Sequence, residues 1–336
     1  MRPSLIPRIA VIGLAMAMLW PFAVQQDAQA WGFYGHRRIN RMAVFTLPPA
    51  MFGFYKRHID YVTDHATDPD SRRYAVAGEG PRHFIDADHY AGPGGDPFDV
   101  IPRKWDMAVQ KFTEDTLQEY GIVPWHIPVM YGRLVNAFKR GSVDLILYYS
   151  AEIGHYIADA HVPLHTTENY NGQLTNQHGI HAFWESRIPE TSAEEYDHFV
   201  GRAQYIPDPL EAAWSYVIVS HRALDTVFNM ERELQQRFPE SEKYTYDLRG
   251  RNTFQLQSKE FIKAYEESMG GMVERRMNDA ILAVGSMWYS AWVDAGQPDL
   301  ERLEQKDVSD SLKQVLKAEE ELRKQFTKIK GREEPE

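Results

Sequence analysis

From Ser142 to Ala160 the chain reads as an apolar helix, and within it stand His155 and Asp159, four residues apart. That spacing is about one helical turn, so the imidazole and the carboxylate share a face. In apolar surroundings such a pair costs free energy unless something satisfies it, and a metal ion would. Pro163 then ends the helix and lets His165 turn back toward the same region. Sixteen residues later His181 and Glu185 repeat the device. Either pair taken alone also reads as an ordinary helix-stabilising ion pair. It is the density of histidines, at 155, 161, 165, 178 and 181, that favours a metal site.

Elsewhere apolar residues also recur at helical spacing and strand-like alternation is scarce, which predicts an all-α protein. Helices are expected over 37–45, stopped by Pro48 and Pro49, and over 51–62, 105–120, 127–138, 142–160, 180–187, 210–238 and 260–293. Between Asp64 and Pro102 the chain is rich in Gly, Pro, Asp and Arg and reads as a long functional loop. The last segment, 306–336, places Leu312, Val315, Leu316, Leu322, Phe326 and Ile329 on one stripe among many charges. It reads as an amphipathic helix that docks or is solvated, with a membrane-surface role the weaker alternative.

The first thirty residues form a separate unit. Arg2 and Arg8 precede an almost wholly apolar run from Ile9 to Val24, and Ala28-Gln29-Ala30 has the small-x-small form of a signal-peptidase site. Cleavage there exposes Trp31 and predicts a secreted or periplasmic protein, with no transmembrane segment after signal removal. An uncleaved membrane anchor is the competing reading, weakened by Pro21 within the apolar run. Loss of the leader takes the formal charge from −11 to −12, which argues against a basic nucleic-acid groove. It does not exclude a nuclease, because bound zinc makes a site locally positive. The chain has no cysteine, so thiol catalysis and cysteine-ligated zinc are excluded.

On these motifs the chain resembles the superfamily that unites bacterial zinc-dependent phospholipases C with single-strand-specific nucleases, helical enzymes with a trinuclear zinc site. Trp31-Gly-Phe-Tyr-Gly-His36 resembles the mature start of that family, and His83-Phe84-Ile85-Asp86 its His-Phe-x-Asp motif. His155, Asp159 and His165 match His-x3-Asp-x5-His, and His181 with Glu185 matches the closing His-x3-Asp/Glu. The matching residues run from Trp31 to Glu185. The fold implied is a multi-helix, single-domain phospholipase C or nuclease type with long functional loops, spanning 31–305.

The resemblance also implies a ligand scheme for three zinc ions. One would be held by an aspartate near position 70 with His83, His155 and Asp159, and a second by the Trp31 terminus, His36 and Asp159. His165, His181 and Glu185 would hold the third. Asp64, Asp68 and Asp70 all lie in the right loop, and Asp70 is preferred because Asp70-Ser71-Arg72-Arg73 fits an Asp-x-x-Arg arrangement. Asp70 would also orient the attacking water and Arg73 would bind phosphate, while Phe84 and Asp86 would contact the substrate.

The function so implied is hydrolysis of a phosphate diester by zinc-activated water, with phospholipid or single-stranded nucleic acid as substrate and no stable protein partner. Glu185 and the absence of cysteine favour a phospholipase C-like enzyme. The Trp31–His36 spacing and His83-Phe84-Ile85-Asp86 favour a nuclease releasing mononucleotides. A third reading, from another class, is a non-catalytic exported protein that uses zinc for stability. Among the remaining histidines, 58, 89, 126, 198 and 221 are expected in surface or structural roles, and His161 and His178 could orient ligands.

Overall fold

The structure, a computed structural model, describes residues 32–325 except 93, 250–251 and 305. The leader, Trp31, Phe326 and Ile329 lie outside the described residues, and so do the expectations that rest on them. The main helices are α1 (Gly32–Ala43), α2 (Asp68–Arg72), α3 (Val123–Arg140), α4 (Val143–Ala160), α5 (Pro209–Arg222), α6 (Leu224–Arg237), α7 (Lys259–Ser268), α8 (Met272–Asp294) and α9 (Asp310–Gln325). The protein is all-α, as its periodicity predicts.

Local chemistry sets the helix ends. Gly141 closes α3 in the left-handed region at φ 59°, and the Ser142 side chain caps α4 by accepting from the Leu145 amide. Asp208 caps α5, with Pro209 in the first turn. Several expected helices are interrupted where the backbone turns. The 105–120 segment breaks at Thr113, φ 71°, whose side chain caps the following helix. The 210–238 segment breaks at Ala223, and the 260–293 segment breaks at Gly270 and Gly271, both at positive φ. The 51–62 segment divides at His58 into Pro49–Arg57 and Ile59–Asp64.

Two features depart further from expectation. The stretch 64–102 is not a bare loop, since it carries α2 and several single helical turns. An antiparallel hairpin, β1 (Tyr244–Arg249) with β2 (Asn252–Gln257), was not anticipated, and Tyr246 pairs with Gln255 in it. Tyr246 and Leu248 alternate along β1 and are exposed, and each strand is only six residues long, too short a run to stand out beside the helical spacing around it.

Helices α3 and α4 pack side by side, and α1, α5 and α8 pack on them to enclose one continuous apolar core that includes Ile39, Ile153, Tyr156, Trp184, Trp214 and Trp288. Close approach of α1 to α4 depends on Gly154, where an added Cβ would lie 2.0 Å from the Asn40 side-chain oxygen. Asn40 in turn donates to the carbonyls of Val62 and Ala151, at 3.1 Å each. This contact brings His36 of α1 over His155 of α4, the rings stacked 3.9 Å apart. Among the described residues no helix is long and apolar enough to cross a membrane.

Candidate metal centre

Four segments deliver side chains to one buried locus. His36 comes from α1, Asp70 from α2, His83 from the turn Gly80–His83, and His155 with Asp159 from one face of α4. All five are at most 3% exposed. His83 Nδ1 lies 2.9 Å from Asp159 Oδ2 and 3.0 Å from His155 Nε2, and His155 Nε2 is 3.2 Å from the same oxygen. Asp70 Oδ1 is 3.6 Å from both His83 Nδ1 and His155 Nε2. The other oxygen of Asp159 lies 3.4 Å from His36 Nε2.

A separate cluster forms beside it. After α4, the turn Pro163–Thr166 brings His165 back, and the segment 180–187 supplies His181 and Glu185. Glu185 Oε2 is 3.1 Å from His181 Nε2 and 3.3 Å from His165 Nε2. His165 Nδ1 also approaches Asp159 Oδ1 at 3.6 Å, so Asp159 links the two clusters.

These donors fit metal ions. Around a four-coordinate zinc with bonds of about 2.0–2.1 Å, neighbouring donor atoms sit roughly 3.3 Å apart, and the separations above bracket that value. Three groups could each hold an ion: His36, His155 and Asp159; Asp70, His83 and His155; and His165, His181 and Glu185. Both oxygens of Asp70 and both ring nitrogens of His36 are buried with no hydrogen-bond partner, a costly arrangement that a cation relieves.

The electrostatics point the same way. Burial pushes the Asp70 carboxyl up to about 6, against the pull of His36 and His83, because a buried carboxylate lacks sufficient positive charge. Burial also lowers the titration of His36 and His155 and favours the neutral rings that ligate metal. Asp159, despite its burial, is held well below the usual carboxylate range by His155 and His165. Second ring nitrogens are fixed by the backbone: His155 Nδ1 donates to the Ala66 carbonyl at 2.8 Å, and His165 Nδ1 to that of His83 at 2.7 Å.

Of the aspartates in the loop, the structure brings Asp70 to the cluster. Asp68 instead pairs with His65 at 2.7 Å on the partly exposed side of α2. Arg73 is buried and its charge acts on both Asp70 and His83. Phe84 and Asp86 are only 3% and 6% exposed, so neither offers substrate an open face in this conformation. His161 Nδ1 donates to the Ile157 carbonyl and its ring lies against Tyr216. His178 is exposed. His89 stacks on Tyr120, His198 bonds Asn278, and His221 donates to the Thr166 carbonyl.

Sequence reasoning missed a set of charged residues behind the cluster, Arg72, Glu79 and Glu152, all buried. Their one signal was Glu152 on the otherwise apolar stretch of α4.

No family model matches the chain, and no curated protein matches it. Among solved structures, the alpha toxin of Clostridium absonum is 13% identical, with a TM-score of 0.46, and the match covers 82% of this chain and 66% of that one. The Clostridium perfringens alpha-toxin isolated from an avian strain is 12% identical, with a TM-score of 0.44 and the same coverage. The chain thus spans 66% of the length of each toxin. Likenesses this distant carry no argument about function.

Proposed function

We propose that the chain is an exported, zinc-dependent hydrolase of phosphate diesters, leaning to phospholipase C-like activity. The observation that carries it is the donor set around Asp159: buried nitrogen and oxygen atoms at zinc-ligand spacing, with a carboxylate whose two oxygens face different groups. Asp70, His83, His155 and Asp159 would hold one ion, the Trp31 terminus, His36 and Asp159 a second, and His165, His181 and Glu185 the third. When bound, zinc at such a site lowers the pKa of water to about 7 and neutralises phosphoryl oxygens.

The chain's own residues would do the rest. Asp70 would orient the attacking water, and Arg73, buried close enough for its charge to act on Asp70, would supply positive charge toward the phosphate. A purely structural ion favours four closed protein ligands, often cysteines, whereas neighbouring ions linked through one carboxylate suit a reacting group. The buried placement of Phe84 gives the nuclease alternative no platform for a stacked base. In this reading residues 1–30 are removed on export, residues 31–305 form the catalytic unit, and residues 306–336 are an accessory helix and tail.

The decisive experiment assays zinc-loaded protein beginning at Trp31 on phosphatidylcholine and on single-stranded nucleic acid. Chelator-sensitive turnover of the lipid alone is the expected result; turnover of nucleic acid alone would replace the reading with the nuclease one. One additional residue before Trp31 would acylate its amine, and such a chain should bind less zinc.

A further inference from the structure

Behind the first group of candidate ligands lies a knot of buried charges. Arg72 donates from Nε to Glu79 Oε2 at 3.1 Å and grips Glu152 with both terminal nitrogens, one of them 2.7 Å from Glu152 Oε1. Arg82 donates to Glu79 Oε2 at 2.7 Å, and the Tyr156 hydroxyl donates to Glu79 Oε1. That oxygen also faces His83 Nε2 at 3.7 Å, while Nδ1 of the same ring faces Asp159 and His155. Arg72, Glu79, Glu152 and Tyr156 are all at most 7% exposed.

Each member belongs to a segment that carries a candidate ligand. Arg72 is two residues after Asp70 on α2. Glu79 immediately precedes the turn that ends in His83. Glu152 and Tyr156 flank His155 on α4, with Glu152 at the preceding turn. Two arginines balance two glutamates, so the knot is close to neutral. A buried guanidinium forked onto a carboxylate also fixes orientation more tightly than a lone ammonium could.

We propose that Arg72 is a positioning residue for the metal site: by joining Glu79 to Glu152 it locks α2, the 79–83 turn and α4 in the arrangement that aligns Asp70, His83 and His155 on one ion. The proposal rests on the zinc reading above. It assigns Glu79 the task of holding the His83 ring with Nδ1 toward the ion. Groups that bond the ligands directly typically govern metal affinity by about 10–100-fold; Glu79 faces His83 at 3.7 Å and Arg72 acts one contact further out, through Glu79 and Glu152.

The test is a zinc titration by chelator competition, read alongside cobalt(II) absorption and metal-free melting, on the full processed chain. Arg72→Met should weaken one class of zinc by roughly 10-fold, the lower end of the range for direct partners, and leave the class lost in a Glu185→Gln control unchanged. The paired change Arg72→Met with Glu152→Leu removes the fork together with its buried partner. It should recover melting temperature without recovering zinc affinity. Tyr156→Phe, a milder change, should weaken the same zinc class several-fold with little change in melting. Recovery of zinc affinity together with stability, or equal weakening of every zinc class, would overturn the positioning role. A wild-type chain that binds no zinc at all would instead remove the zinc reading on which the proposal stands.

Discussion

Asp159 and Asp70 divide the work of the cluster, and single substitutions separate their roles. Asp159 faces His36 with one oxygen and His83 and His155 with the other, so Asp159→Asn should cost two zinc equivalents, measured by elemental analysis after dialysis. Asp70→Asn should lose one equivalent and more hydrolysis than the roughly 10–100-fold expected for an outer partner. Asp68→Asn should leave both unchanged; the reverse result would exchange the two aspartates. His126 supplies a pH prediction. Burial, helped by the Arg82 charge, lowers its titration to about 3. The unfolded chain takes up this proton near pH 6.5 and the folded chain does not until about pH 3. Its contribution is therefore complete above pH 6.5 and is lost as pH falls toward 3, at up to about 1.4 kcal/mol per unit. His126→Phe should flatten the fall in unfolding free energy across that window; identical pH profiles for the two proteins would count against it. At this scale His155 with Asp159 and His181 with Glu185 were legible because their spacing repeats a helical turn, whereas His36 and His83 were legible only through the motifs of the resembling family. Asp70 was preferred over Asp68 only through the Asp-x-x-Arg arrangement of a resembling family, since residues this close in a turn differ chiefly in which way the fold points them.

Helix α4 carries the site because α1 can approach it closely, and Gly154 makes that approach possible. Gly154→Ala would place a methyl group 2.0 Å from the Asn40 oxygen and displace a side chain that makes two buried hydrogen bonds. A loss of about 2–4 kcal/mol is expected from overpacking and lost bonds, read by denaturant unfolding. Zinc affinity should fall with it, because His36 rides on α1. A variant as stable as the parent would show that the two helices separate at little cost. Helix existence was readable from apolar spacing, but helix continuity was not. The breaks at Thr113 and Gly270–Gly271 occur where the backbone takes positive φ, and apolar spacing runs straight through both. The β1–β2 hairpin escaped notice because its two strands are six residues each, too brief an alternation to stand out between long helical runs.

The whole molecule encloses a centre in which Asp70, Asp159 and Glu185 converge with their carboxylates almost wholly out of water. Zinc that binds only the folded chain should stabilise it by about 4 kcal/mol at a thousandfold excess over its dissociation constant. Calorimetry with and without chelator should therefore show a melting temperature several degrees higher in zinc, and coincident transitions would argue against a metal centre. The sequence by itself determined that the chain is helical, that cysteine chemistry is absent, and that histidine–carboxylate pairs lie one turn apart, because these follow from residue type and local periodicity. Only the tertiary structure decided the distances at which His36, Asp70 and His83 approach His155 and Asp159, that Phe84 is buried, and that Arg72 ties three segments together. Those contacts join residues dozens of positions apart, and their geometry comes from how the helices pack, which no local pattern encodes.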